Sequence, residues 1–282
     1  MSLPAKAEER ALRNSFDPAE ARRRCRDFRR RILDISQQVT ALHVAPAFSC
    51  IEITDLIYNA LMRREKNGEY RDVFLMSKGH GCMIQYVILE EKGVLSRRDL
   101  DLYCTPEGRL GVHPDYGNPG IVASTGSLGH GMAIACGMAL AEKGRKSDGR
   151  IFVVLSDGEL QEGSTWEALL MASSLKLDNI IAAIDNNDFQ SLGRTSETHP
   201  SFYPVLDKLR AFGWEAAEVP GHDAAAIYEA MAGRSGGKPF MLVAKTIKGK
   251  GVSYMENVPI WHYRSPNKDE YRQAVAELEA AP

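Results

Sequence analysis

Apolar runs of four to six residues, most ending in a turn of polar residues or glycine, recur along this chain at residues 72–76, 151–155, 180–184, 216–219 and 240–245. Two of them, Ile151-Phe152-Val153-Val154-Leu155 and Ile180-Ile181-Ala182-Ala183-Ile184, have no polar position to turn toward water, which is the pattern of buried strands. Helical segments accompany the runs at 52–62, 82–91, 164–175, 223–231 and 268–279, with a further small-residue helix opened by residues 126–131 and ending near Lys143. Within 164–175, Trp166, Leu169 and Leu170 stand at the spacing of one helix face. Residues 102–124 and 190–203 carry glycine, proline or polar residues and read as loops over the strand ends. Strands alternating with helices predict an α/β fold with a doubly wound parallel sheet. No repeat or long linker divides the chain, so residues 1–40 read as a helical lead-in and 41–282 as one domain.

Composition narrows the class. The chain has 282 residues, 44% hydrophobic and 26% charged, with a formal net charge of −2. These are ordinary globular values, and the charge gives no support to nucleic-acid binding. Residues 21–36 do hold seven arginines, but Cys25, Phe28, Ile32 and Ile35 recur every three to four positions. That marks an amphipathic helix with one buried face and arginines on the solvated remainder. Five cysteines, at 25, 50, 82, 104 and 136, make no metal or redox spacing. They point to a reduced cytoplasmic protein. No apolar run approaches membrane-spanning length, and the opening residues lack a signal-peptide core.

The chemistry concentrates after two of the strands. Ser156-Asp157-Gly158-Glu159 follows the run at 151–155, and Asp185-Asn186-Asn187 follows the run at 180–184. In a parallel sheet both turns fall at the carboxyl ends of their strands, where open α/β sheets bind ligands. An aspartate–glycine turn alone is commonly only a turn. Its pairing with a second polar turn one βαβ crossover later brings the Asp157 carboxylate and the Asn187 amide oxygen together. Hard oxygen ligands of that kind suit Mg²⁺ completed by phosphate oxygens. Gly126-Ser127-Leu128-Gly129-His130-Gly131 is not a dinucleotide fingerprint, because no strand leads into it and the spacing is wrong. Close backbone approach to a ligand and tight helix packing explain its glycines better.

Taken in order, these pieces resemble the amino-terminal half of transketolase. The paired acidic and asparagine turns match the Mg²⁺–diphosphate signature of thiamine diphosphate enzymes, with Ser156 in place of the first glycine. His43 with Glu52, Ser77-Lys78-Gly79-His80-Gly81, His113-Pro114 and Ser124-Thr125-Gly126-Ser127-Leu128-Gly129 resemble further family motifs, as do Gly221-His222-Asp223, Lys245-Thr246 and Trp261-His262. The resemblance implies Mg²⁺ held by Asp157, Asn187 and the Phe189 carbonyl, and a diphosphate faced by His80, Gly158, Asn187 and His262. It implies Gly126, Ser127 and Leu128 along the middle of the cofactor. His43, His113 and His262 would contact substrate hydroxyls and the developing oxyanion, which suits a side chain that donates or accepts a proton near neutral pH. His130 and His199 are expected to be bystanders, and His222 to brace a turn. Departures fall near the substrate side: His43-Val44-Ala45 for histidine-proline-glycine, His130 for a glutamine, Ser191 for an aliphatic residue, and an altered loop at 195–203.

The resemblance also implies a missing half. Family members need a pyrimidine-binding domain with its own glutamate, and this sequence resembles only the diphosphate-binding part. The expectation is therefore a split transketolase subunit moving a two-carbon ketol unit between sugars or sugar phosphates. It would act with a separate carboxyl-terminal, pyrimidine-binding subunit in an α₂β₂ assembly, or as a homodimer when alone. Glu162 and Glu167 match family acids near the dimer interface, or serve as favourable charges at a helix amino terminus. Two alternatives remain open: an acyl- or acetaldehyde-transferring thiamine diphosphate enzyme subunit, and a non-catalytic scaffold that binds the cofactor.

Overall fold

The computed structural model describes residues 16–39, 42–65, 68–191 and 193–280, so residues 1–15 and 40 of the expected lead-in lie outside the described residues. Helix α1 (Pro18–Ser36) begins where Asp17 accepts a hydrogen bond from Ala19 N at 2.8 Å, with Pro18 in the first turn. Two short buried helices, α2 (Val44–Ser49) and α3 (Ile51–Leu56), follow, and the second runs on as a π-helical turn over Ile57–Leu61. Then come β1 (Val73–Met76), α4 (Cys82–Glu91), α5 (Arg97–Asp101), α6 (Gly131–Gly144), β2 (Ile151–Ser156) and α7 (Gly163–Ser174). The chain closes with β3 (Ile180–Asn186), α8 (Thr195–Thr198), α9 (Val205–Ala211), β4 (Glu215–Pro220), α10 (Ala224–Ala232), β5 (Phe240–Lys245) and α11 (Lys268–Ala280).

The five strands form one sheet in the order β1-β2-β3-β5-β4, with every pairing parallel. Side chains alternate across it. Phe152, Val154, Ile181, Ala183 and Leu242 pack under α1, α3, α4 and α10, while Ile151, Val153, Leu155, Ala182 and Val243 pack under α6, α7 and α9. Both faces are covered, so the expected doubly wound architecture is what the chain forms. Each fully buried Val, Leu, Ile or Phe removes roughly 1.5–3 kcal/mol worth of apolar surface from water, which fixes the register of the central strands.

Helix α1 differs from the expectation in one respect. Its apolar face is buried as the periodicity required, but the arginines are not simply solvated. Arg29 is buried and pairs with Glu52 at 2.7 Å, Arg24 pairs with Asp55 at 2.8 Å, and Arg31 with Glu90 at 2.8 Å. Long stems lie over apolar surface and deliver their guanidinium groups to carboxylates on α3 and α4. Leu170 also departs from the expected inner face of α7: Leu169 is fully buried, but Leu170 is 53% exposed.

Candidate active site

Parallel strands place the turns after β1, β2, β3 and β5 along a single edge of the sheet. The chain after β1 turns to the α4 face, while the chain after β2 turns to the α7 face, so a crevice opens between them. Glycine lets the loops meet there. A Cβ on Gly79 would stand 2.6 Å from Gly126 Cα. One on Gly126, whose φ is +125°, would stand 2.6 Å from His113 Cγ. Ser127 and Leu128 continue that loop, Ser127 exposed and Leu128 half-buried, and both carbonyls accept from His130 Nδ1 at 3.1 Å.

Four histidines from four separate segments converge at this edge. His43 ends the segment before α2, His80 lies in the turn after β1, His113 in the long loop before α6, and His262 in the segment after β5. Ring centroids stand 6.1 Å apart for His43–His80, 5.8 Å for His43–His113, 5.6 Å for His43–His262 and 5.3 Å for His80–His262. Burial pushes His43 down to about 4 and His262 to about 3, with neighbouring cations adding to the effect. His80 and His113 are lowered by burial as well. All four rings are thus neutral at neutral pH, and each offers one N–H donor and one lone pair. His43 Nδ1 is buried without a hydrogen-bond partner among the described residues. His130 and His199 are exposed, outside the cluster. His222 instead spans Glu52, at 2.9 Å through Nδ1, and the Ile247 N–H, at 2.8 Å through Nε2, tying the turn after β4 to the turn after β5.

The oxygen donors lie beside the cluster. Asp157 is fully buried and accepts from Gly158 N at 2.8 Å, Asn186 Nδ2 at 3.1 Å and Asp188 N at 2.5 Å. Burial and the nearby Asp185 charge push its carboxyl up to about 7. It makes no ion pair among the described residues. Asn187 has its amide orientation fixed: Nδ2 donates to Ser49 Oγ at 2.9 Å and Asp185 at 3.3 Å, while Oδ1 accepts from Phe189 N at 2.9 Å. Phe189 is buried, and its carbonyl oxygen lies 3.9 Å from where a Cβ on Gly158 would stand. No group of three or more His, Cys, Asp or Glu side chains able to hold a metal occurs among the described residues. Ser156, the departure in the signature, accepts from Glu159 N at 3.2 Å and steadies the turn.

Several residues here were passed over in the sequence. Lys78 and Asp185 form a buried ion pair, and Asp185 also accepts from Ser49 Oγ at 2.7 Å and from Thr246 Oγ1. Glu159 is fully buried; Oε1 accepts from Ser77 Oγ at 2.5 Å and Gly129 N at 3.1 Å, and Oε2 has no partner among the described residues. Lys248, which burial and Lys78 push down to about 7, lies 2.5 Å from His262 Nδ1 and pairs with no carboxylate among the described residues. Their sequence signal was position alone: charged residues close after apolar strands. Glu162 and Glu167 are exposed at the start of α7, and Glu162 Cβ lies 2.6 Å from where a Cβ on Gly129 would stand.

Such an edge, histidine-rich and flanked by buried oxygen donors, is that of a cofactor-binding α/β enzyme domain, and comparison with known proteins agrees. Residues 21–279 match the family described as transketolase, thiamine diphosphate binding domain. A relative from Phocaeicola vulgatus, named as one of the subunits of an apulose-4-phosphate transketolase, is 38% identical over 255 residues, which cover 89% of this chain and 90% of the relative. Another, from a Clostridium species, is named 6-deoxy-6-sulfo-D-fructose transketolase subunit SqwG; it is 38% identical over 243 residues, 84% of this chain and 88% of the relative. The solved transketolase from Leishmania mexicana superposes with a TM-score of 0.85 at 28% identity, over 92% of this chain and 41% of its own. The chain belongs to the transketolase family, matching its thiamine diphosphate binding domain.

Proposed function

We propose that this chain is the diphosphate-binding subunit of a split transketolase. With Mg²⁺, thiamine diphosphate and a separate pyrimidine-binding subunit, it transfers a two-carbon ketol unit between sugars or sugar phosphates. The observation that carries the reading is the convergence of four neutral histidines, one with a buried nitrogen that has no partner among the described residues, beside a buried carboxylate that makes no ion pair among them. The residues fit the cofactor. Asp157, Asn187 and the Phe189 carbonyl would hold Mg²⁺, and a divalent cation supplies the charge that Asp157 lacks. His80, Gly158, Asn187 and His262 would face the diphosphate, with Gly126, Ser127 and Leu128 along the cofactor's middle. Bound there, the cofactor supplies an electron sink for cleaving the carbon–carbon bond beside a ketose carbonyl.

The chain's own side chains would orient and stabilise. Neutral imidazoles at His43, His113 and His262 donate to or accept from sugar hydroxyls without desolvating a charge, and an N–H aimed at a developing oxyanion gains most in this buried setting. Two relatives carry names for a ketose phosphate and a sulfo-ketose, which supports a ketose donor with an anionic end. Those names each specify one subunit of an enzyme, which supports a separate partner, and an α₂β₂ assembly is the form we propose. Asp157→Ala tests the metal assignment. Calorimetry should show Mg²⁺-dependent cofactor binding lost or weakened by at least about 100-fold, as expected when the one charged protein ligand goes. Unchanged affinity would remove Asp157 from the site.

A further inference from the structure

Glu159 is a fully buried carboxylate with no ion pair among the described residues, and no motif in the sequence gives it a role. A buried acid in that state costs stability unless its hydrogen bonds answer for it. One oxygen is answered twice. Oε1 accepts from Ser77 Oγ at 2.5 Å and from Gly129 N at 3.1 Å, while Oε2 has no partner among the described residues.

What the two donors belong to is informative. Ser77 opens the turn after β1 that carries His80, and Gly129 closes the loop of Gly126, Ser127 and Leu128. Glu159 itself lies in the 3-10 turn Gly158–Gln161, directly after Asp157. Its backbone cannot follow the other two segments, because Glu159 N donates to Ser156 Oγ at 3.2 Å and its carbonyl accepts from Thr165 Oγ1 at 3.2 Å, on α7. The contacts around it are close. A Cβ on Gly131 would stand 2.2 Å from Ser77 Oγ, and one on Gly129, whose φ is +86°, would stand 2.6 Å from Ser164 Oγ. Ser164 Oγ in turn donates to Gly129 O at 2.8 Å. Three segments from three different parts of the chain are thus joined through one oxygen atom.

We propose that Glu159 is a positioning residue for the cofactor, holding the turn that bears His80 and the loop at 126–129 in register with the turn that bears Asp157 and Gly158. This rests on the cofactor reading above and extends it to a residue that does not touch the ligand. The acceptor oxygen is what the position requires, so glutamine serves there and alanine does not. An apolar residue could fill the same volume but would leave the Ser77 hydroxyl and the Gly129 N–H buried without an acceptor.

The test compares Glu159→Ala, Glu159→Gln and Ser77→Ala with the wild type, each mixed with the partner subunit. Calorimetry reads affinity for thiamine diphosphate with Mg²⁺, and steady-state kinetics at saturating cofactor reads the ketose KM. Ligand-free melting temperature is measured in parallel. Expected in Glu159→Ala is a loss of cofactor affinity of about 10–100-fold, the range found when partners that orient ligand-binding groups are removed. The ketose KM at saturating cofactor should stay within about twofold. Glu159→Gln should restore affinity to within about fivefold of wild type. Ser77→Ala should lose affinity in the same direction, and its effect should not add to that of Glu159→Ala. Unchanged cofactor affinity in Glu159→Ala and Ser77→Ala overturns the proposal. So does equal loss in the alanine and glutamine variants, or a loss of affinity that shifts the ketose KM by the same factor and tracks the melting temperature, which would make Glu159 a packing residue only. A wild-type protein that binds no thiamine diphosphate overturns the cofactor reading itself.

Discussion

Removing one member of the Lys78–Asp185 pair should cost more stability than removing both. Neither side chain is more than 1% exposed. Asp185 also accepts from Ser49 Oγ at 2.7 Å, Thr246 Oγ1 and Asn187 Nδ2 at 3.3 Å, and Lys78 Nζ donates to Pro46 O at 3.0 Å. Burial alone would lower the Lys78 pKa, but the Asp185 charge more than offsets this and holds it above the ordinary value. In Asp185→Asn the amide oxygen still accepts from the hydroxyls, yet the ammonium is left unpaired, at a cost of about 3–5 kcal/mol. Lys78→Met leaves the carboxylate unpaired, with a cost of the same order. The double variant loses charge on both sides and should cost about 1–2 kcal/mol, giving a favourable coupling of at least about 4 kcal/mol. Urea denaturation of the four proteins measures the cycle, and each single variant should melt roughly 10 °C lower. Because Asp185 and Ser49 orient Asn187, Mg²⁺-dependent cofactor binding should also weaken in Asp185→Asn. Single variants within about 1 kcal/mol of wild type, or strictly additive effects, would refute the reasoning.

Two further outcomes are expected. His43→Ala and His113→Ala should each lower turnover by about 2–4 kcal/mol of transition-state stabilisation while leaving cofactor affinity largely intact. Steady-state kinetics with several ketose donors, beside calorimetry, checks this, and wild-type kinetics with every donor would remove the histidines from the substrate site. Burial raises Glu52, but Arg29 and His222 outweigh it and hold its carboxyl at about 2 against an ordinary 4.5. A depressed carboxyl stabilises the fold fully above its unfolded pKa and loses that stability as pH falls. On the order of 3 kcal/mol should therefore disappear between about pH 5 and pH 2. Glu52→Gln should start less stable at neutral pH and lack that portion of the acid loss; acid titrations that superpose for the two proteins would contradict it.

The fold was readable because the sheet is buried on both faces. Runs such as 151–155 have no polar position, as strands covered on both faces require, and the matching strands β2, β3 and β5 lie within two residues of expectation. Elements without a period of their own were not readable. Helix α2 is six residues long, with proline inside it and every position buried, so it shows no amphipathic contrast. Helix α9 begins directly after Pro204 and is only seven residues long, too short to show a clear period in the sequence. The altered loop at 195–203 folds into α8 and a 3-10 turn through Asp188, which accepts from Thr195 Oγ1 at 2.8 Å and Ser196 N at 2.8 Å; such side-chain to backbone bonding leaves no hydrophobic pattern. The histidines were found through motif order, and the structure brings them to one place. The polar network under them stayed hidden, because a lysine or a carboxylate in sequence shows neither its burial nor its partner. Both were needed to tell Lys78, which is paired, from Lys248, and to see that Glu159 joins three loops.

The central claim is that this subunit works only with a separate pyrimidine-binding subunit. The measurement is exchange of the thiazolium C2 proton of thiamine diphosphate, followed by NMR together with ketol transfer from a ketose donor, on the purified chain and on the chain mixed with that subunit. The account predicts background exchange and no transfer for the chain alone, with both appearing on mixing and saturating at an equal ratio of subunits. Robust exchange and turnover by the purified chain alone would contradict it.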